Sequence, residues 1–153
     1  MALTDIISPA RVKVALSADG KRDLIEQLVD ALVADGSATD RAAVLQAVCD
    51  REATRTTGIG EGVAIPHGKC DAVDSLLLVI TTLERPVDFE SVDGQPIDIA
   101  FLLVSPVSLT GPHIQALARI ARLLGNALFR NRLLQADTPE EVCSLIRREE
   151  DHL

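Results

Sequence analysis

Two histidines and an arginine are the residues of this sequence whose types and spacing best suit chemistry on an anion. His67 closes the segment at residues 58–68, in which four glycines and a proline surround one imidazole. Glycine permits close backbone approach, and Pro66 removes one amide donor. The segment therefore predicts an imidazole presented on a shaped backbone with free N–H groups nearby. A glycine-rich hairpin that carries an incidental histidine is the alternative that the pattern leaves open.

His113 follows Gly111 and Pro112, in the first turn of a predicted helix. A helix N-terminus attracts anions through its free amides and its dipole, although His113 taken alone is also typical of an exposed polar cap residue. Arg51 and Arg55 precede the glycine segment, and a planar guanidinium matches phosphate oxygens. We expect one of the two arginines to be solvated or paired with a carboxylate. If both histidines meet in space, they form a pocket for a negatively charged group.

The composition limits the classes of protein to which the chain can belong. Its 153 residues fit a single domain spanning 1–153, and 47% of them are apolar. A net charge of −8 argues against nucleic-acid binding, because an acidic protein repels phosphate backbones. Three widely spaced cysteines indicate a reducing compartment. Neither a signal peptide nor a membrane span is predicted, so we expect a cytoplasmic protein without direct membrane insertion.

Elements that position these residues follow from hydrophobic spacing. Helical spacing predicts helices over 21–34, about 40–52, 112–124 and 126–135, and a last helix after the capping residue Thr138. Strands are predicted at 13–16, 63–65, 75–83, 87–92 and 97–104. The runs at 75–83 and 97–104 are apolar throughout and predict strands buried on both faces, which need helices on both sides of the sheet. The expected fold is a three-layer α/β/α domain with a small mixed β-sheet.

The helix over 112–124 matters most for the site, since it carries His113. Thr110 is predicted to cap it. Its inward face is predicted to comprise Ile114, Leu117, Ile120, Ala121 and Leu124.

Several segments together resemble a known family over essentially the whole chain. The segments are Arg51-Glu52 and residues 57–60, 62–68, 87–89, 101–104 and 113–118. They are similar to the IIA domain of the bacterial phosphoenolpyruvate-dependent phosphotransferase system (PTS), in the fructose–mannitol class that includes the nitrogen-regulatory IIA protein. The AIPHG element that ends at Gly68 is the most specific of these matches. Arg55 departs from the pattern, because many relatives carry a small residue there, and so does the Gly111-Pro112 pair.

The resemblance implies a role for each matched residue. His67 corresponds to the histidine that accepts a phosphoryl group from phospho-HPr. His113 corresponds to the second active-site histidine, and Arg51 to the arginine of the Arg-Glu pair. The implied activity is that of a phosphotransferase component, a histidine phosphocarrier that requires neither a metal nor a nucleotide cofactor. The implied fold is a mixed sheet covered by helices on both sides.

Two functions remain open at this point. In sugar-transporting members the phosphoryl group passes on to a cysteine of a IIB domain, which makes the chain a carrier for sugar uptake. In the alternative, the phosphorylation state of His67 controls binding to regulated partner proteins, as in a nitrogen-type regulator. The sequence gives neither the sugar, nor the regulated partner, nor the imidazole nitrogen that is phosphorylated.

Overall fold

Six strands, five α-helices and two 3-10 helices follow one another along the chain in a computed structural model that describes residues 1–153. Two short 3-10 helices, Leu3–Asp5 and Pro9–Arg11, precede the first strand. The strands are β1 (Val12–Leu16), β2 (Gly58–Gly60), β3 (Val63–Ala64), β4 (His67–Lys69), β5 (Leu77–Val87) and β6 (Ile97–Ser105). The α-helices are α1 (Lys21–Ala34), α2 (Arg41–Thr54), α3 (Thr110–Leu124), α4 (Ala127–Gln135) and α5 (Pro139–Glu150).

The six strands form one mixed sheet around the antiparallel pair β5 and β6. Strand β1 adds to β5 in parallel at one edge. On the other side, β3 and β4 both run parallel to β6, one after the other along its length, and β2 pairs antiparallel with β3. Ile65 and Pro66 separate β3 from β4. The pairing places His67 opposite Leu103, near the C-terminal end of β6.

Each face of the sheet is covered by its own set of helices. Alternate residues of β6 point to opposite faces, so Ile99, Phe101 and Leu103 join one buried cluster, which includes side chains of α3, α4 and α5. The residues between them, including Ala100 and Leu102, join a second cluster with side chains of α1 and α2. The three-layer α/β/α fold with a mixed sheet is therefore confirmed, as are the two strands buried on both faces.

Two details of the predicted elements are wrong. Residues 88–92 form no strand: Asp88 Oδ1 accepts a bond from the Glu90 amide at 2.9 Å, and Glu90 has a φ of 55°, so the chain turns instead of extending. Thr110 does not cap α3 but is its first residue, and its hydroxyl donates to the Val107 carbonyl.

The phase of α3 also differs from the prediction. Ile114 is 61% exposed and Ala121 is exposed as well, whereas His113 is buried. The buried face of α3 comprises His113, Ala116, Ile120, Leu123 and Leu124. The prediction assigned only apolar side chains to the buried face. Because His113 occupies that face instead, the neighbouring Ile114 points toward solvent.

Candidate active site

The glycine segment places His67 at the start of β4, against helix α2. A turn with positive φ at Gly60, Glu61 and Gly62 connects β2 to β3. At Gly68, an added Cβ would lie 3.0 Å from the backbone nitrogen of Val48 in α2, so only glycine allows β4 to approach the helix this closely. This approach brings His67 near the last turn of α2.

His67 is half-buried, and one of its ring nitrogens is held by the backbone. Its Nδ1 lies 2.9 Å from the Ile65 carbonyl oxygen. Because a carbonyl oxygen only accepts hydrogen bonds, we assign the proton to Nδ1, which leaves a lone pair on Nε2. Nε2 has no hydrogen-bond partner in the protein. Burial lowers the pKa of His67, and the positive charges of Arg51 and Lys69 lower it further.

His113, the fourth residue of α3, lies beside His67. The ring centroids are 5.6 Å apart and the ring planes meet at 63°. Only 4% of His113 is exposed, and its Nδ1 lies 2.6 Å from the hydroxyl oxygen of Ser105 at the end of β6. Burial lowers the pKa of His113 to about 4, with smaller contributions from His67 and Lys69. His113 is therefore neutral near pH 7, and its Nε2 also has no partner in the protein.

Arg51 and His67 line the same surface cavity of about 410 Å³, and Arg55 lies at its wall. The Nη1 group of Arg51 donates to the Thr54 hydroxyl at 3.2 Å and to the Arg55 carbonyl at 3.0 Å. Neither arginine forms an ion pair. Arg55 is exposed, which agrees with the expectation that one of the two arginines is solvated. The cavity thus combines the two guanidinium groups with the imidazole of His67, and the buried ring of His113 lies behind His67, with 5.6 Å between the ring centroids. This set can surround a phosphoryl group with donors and with one nucleophilic nitrogen.

Comparison with known proteins assigns the family. Residues 5–149 match the model of the family described as "Phosphoenolpyruvate-dependent sugar phosphotransferase system, EIIA 2". The chain belongs to this family. It is 36% identical to a nitrogen regulatory protein of Bradyrhizobium diazoefficiens, over 95% of both chains. It is 31% identical to the fructose-specific EIIABC component of Bacillus subtilis, over 97% of this chain and 23% of that protein.

Solved structures agree with this assignment. The nitrogen regulatory protein IIA-Ntr of Neisseria meningitidis superposes with a TM-score of 0.88 at 28% identity, over 94% of this chain and 98% of that one. Both nitrogen regulatory proteins and a fructose-specific EIIABC component are thus similar to the chain. None of its helices has the length and apolar character that a membrane span requires.

Three residues near the site of this EIIA protein were not singled out from the sequence. Glu52 is buried, accepts hydrogen bonds from the amide and the hydroxyl of Thr57, and forms an ion pair with Lys21 at 3.1 Å. It thereby fixes the start of the glycine segment. Ser105 holds His113, and Lys69 lies opposite Ser105 in the sheet. A sequence signal existed for Ser105, since a serine that directly extends the apolar run of a doubly buried strand is itself expected to be buried and in need of a partner.

Proposed function

We propose that this chain accepts a phosphoryl group from phospho-HPr on Nε2 of His67. The observation that carries the proposal is the pairing of His67 and His113 beside Arg51, with Nδ1 of His67 bound to a carbonyl. That bond directs the proton to Nδ1 and leaves Nε2 as the nucleophile. The lowered pKa of His67 keeps the nucleophile unprotonated at neutral pH.

Transfer replaces one nitrogen–phosphorus bond with another. The bond to the donor histidine of HPr breaks as the bond to Nε2 of His67 forms, through a loose transition state whose charge lies on three equatorial oxygens. The free groups of the Arg51 guanidinium and the imidazole of His113 donate to these oxygens. The protein contributes position and electrostatics, and the step requires no metal or nucleotide.

The role after phosphorylation has two candidates. Delivery of the group to a cysteine of a IIB domain is supported by the fructose-specific relative, in which the matching part is 23% of a longer EIIABC protein. A regulatory role, in which the phosphorylation state of His67 governs binding to partner proteins, is supported by the nitrogen regulatory relative of matching length. In both roles we propose that the chain acts in the cytoplasm as one IIA domain over 1–153, without a nucleic-acid partner.

The test is incubation with radiolabelled phosphoenolpyruvate, enzyme I and HPr in EDTA. We expect label on the wild-type protein and none on His67→Ala, because the only acceptor is removed. His152→Ala is the control, since His152 is exposed in the C-terminal tail, and it should be labelled fully. Label on His67→Ala would contradict the proposal.

A chase separates the two later roles. Labelled protein is mixed with an isolated fructose-type IIB domain, and the label on each protein is followed over time. Rapid movement of label to the IIB cysteine supports sugar transport. Label that stays on the chain while its affinity for other proteins changes supports regulation.

A further inference from the structure

Ser105 is the one side chain that holds the second imidazole of the site. It is the last residue of β6 and is fully buried. Its backbone carbonyl accepts a bond from the Cys70 amide at 2.8 Å, so the strand end is fixed independently of the side chain. Its hydroxyl has a single hydrogen-bond partner, Nδ1 of His113 at 2.6 Å. The hydroxyl therefore serves His113 alone.

Two proton arrangements fit a contact between a hydroxyl and a neutral imidazole. In the first, the Ser105 hydroxyl donates to Nδ1 of His113, and the ring proton lies on Nε2. In the second, Nδ1 carries the proton and donates to the hydroxyl oxygen. The hydroxyl hydrogen then has no acceptor, because Ser105 Oγ forms no other hydrogen bond. A buried donor without a partner is disfavoured by roughly tenfold or more, so the first arrangement prevails.

We propose that Ser105 is a positioning residue that fixes the tautomer of His113 with the proton on Nε2, so that His113 donates a hydrogen bond to the phosphoryl group on His67. The inference rests on the proposed function of His67. The proton stays on Nε2 of His113 throughout the transfer, and the hydroxyl of Ser105 is not consumed.

The tautomer of His113 decides whether its free nitrogen, Nε2, can donate a hydrogen bond during phosphoryl transfer. Nδ1 of each ring is occupied by its own partner, so Nε2 is the free nitrogen of both rings. With Ser105 as donor, His113 presents N–H and His67 presents a lone pair. In the opposite tautomer, His113 would present a second lone pair beside the negative oxygens and would repel them. The lowered pKa of His113, about 4, excludes the doubly protonated ring near pH 7 and makes the choice of tautomer matter.

Nuclear magnetic resonance of the ring nitrogens tests the tautomer directly. The unphosphorylated full chain, with ¹⁵N-labelled histidine, is measured near pH 7.5. We expect His113 to be neutral with its proton on Nε2. A proton on Nδ1 of His113 overturns the proposal, whatever the labelling of His67 shows.

Variants then connect the tautomer to the rate. Ser105→Ala should populate both tautomers of His113 and slow phosphoryl transfer by about tenfold, with the label still on His67. Ser105→Cys keeps a weak donor and should retain part of the preference for the Nε2 tautomer and part of the transfer rate. It also serves as the test if Ser105→Ala does not fold. The matched control is Ser91→Ala, which removes a buried hydroxyl that has no hydrogen-bond partner and should change neither. An unchanged tautomer and rate in both Ser105 variants overturns the proposal.

Failure of the underlying function looks different. If the wild-type protein takes up no label from HPr while His113 shows the Nε2 tautomer, the phosphoryl-acceptor function is wrong and the role of Ser105 in setting the tautomer stands.

Discussion

Nδ1 of His67 and Nδ1 of His113 contact different kinds of oxygen, and we propose that this difference separates the roles of the two rings. Nδ1 of His67 meets a carbonyl oxygen, which can only accept, whereas Nδ1 of His113 meets a hydroxyl, which can donate. His67 is half-buried at a strand end, while His113 is buried on a helix. In the proposed function, the same side chain thus acts as a nucleophile at one position and as a hydrogen-bond donor at the other, with 5.6 Å between the ring centroids. Local partners, more than residue type, determine what an imidazole does.

After the loss of His67 itself, the loss of the proposed donor His113 should have the largest effect on phosphoryl transfer. His67→Ala should abolish labelling. His113→Ala should still be labelled on His67, at a rate lower by about a hundredfold, since one transition-state donor typically contributes roughly 3 kcal/mol. Rapid-quench transfer from phospho-HPr measures the rate. If His113→Ala takes up no label while remaining folded, the proposal that His67 is the acceptor and His113 only a hydrogen-bond donor is wrong.

Acid should destabilise the protein through the buried ring. The folded pKa of His113 is about 4, below the ordinary value of 6.5, so the unfolded chain binds more protons between these values and stability falls as the pH falls. Between pH 7 and 5 this one group should cost about 2 kcal/mol of unfolding free energy. His67, with a pKa lowered in the same direction, adds to the loss.

Urea unfolding at both pH values measures this effect. His113→Gln should lose about 2 kcal/mol less than the wild type over the same interval. His152→Gln, which changes the exposed histidine, should follow the wild type. Equal pH dependence of His113→Gln and the wild type would show that burial does not suppress protonation of His113.

Arg55 should have the smallest effect of the cations near His67. Its side chain is exposed and forms no hydrogen bond, while its carbonyl receives the Arg51 guanidinium. Arg55→Ala should therefore slow transfer by only about threefold at low salt, by weakening attraction of the phosphorylated donor, and less at high salt. Transfer rates at two salt concentrations measure this. A loss of about a hundredfold, as expected for removal of a direct donor, would place Arg55 in direct contact with the phosphoryl group.

Much of the fold follows from the sequence, because long apolar runs such as 97–104 admit few alternatives to a doubly buried strand. The pairing of β4 with β6 does not, since a glycine-containing strand of three residues has no hydrophobic alternation to detect. The site shows the same division. Residue type and spacing made His67, His113 and the two arginines candidates, and the resemblance to the IIA family distinguished Arg51 from Arg55. The partnership of Ser105 with His113 depends on the phase of α3, which the outward turn of Ile114 reveals only in the structure.

The central claim is that Nε2 of His67 is the phosphoryl acceptor and that His113 remains unmodified. The most direct test is to phosphorylate the ¹⁵N-histidine-labelled protein with phosphoenolpyruvate, enzyme I and HPr, and to assign the modified ring nitrogen by magnetic resonance. We expect phosphate on Nε2 of His67, with Nδ1 still protonated and bound to the Ile65 carbonyl. Phosphate on Nδ1 of His67, or on either nitrogen of His113, would contradict it.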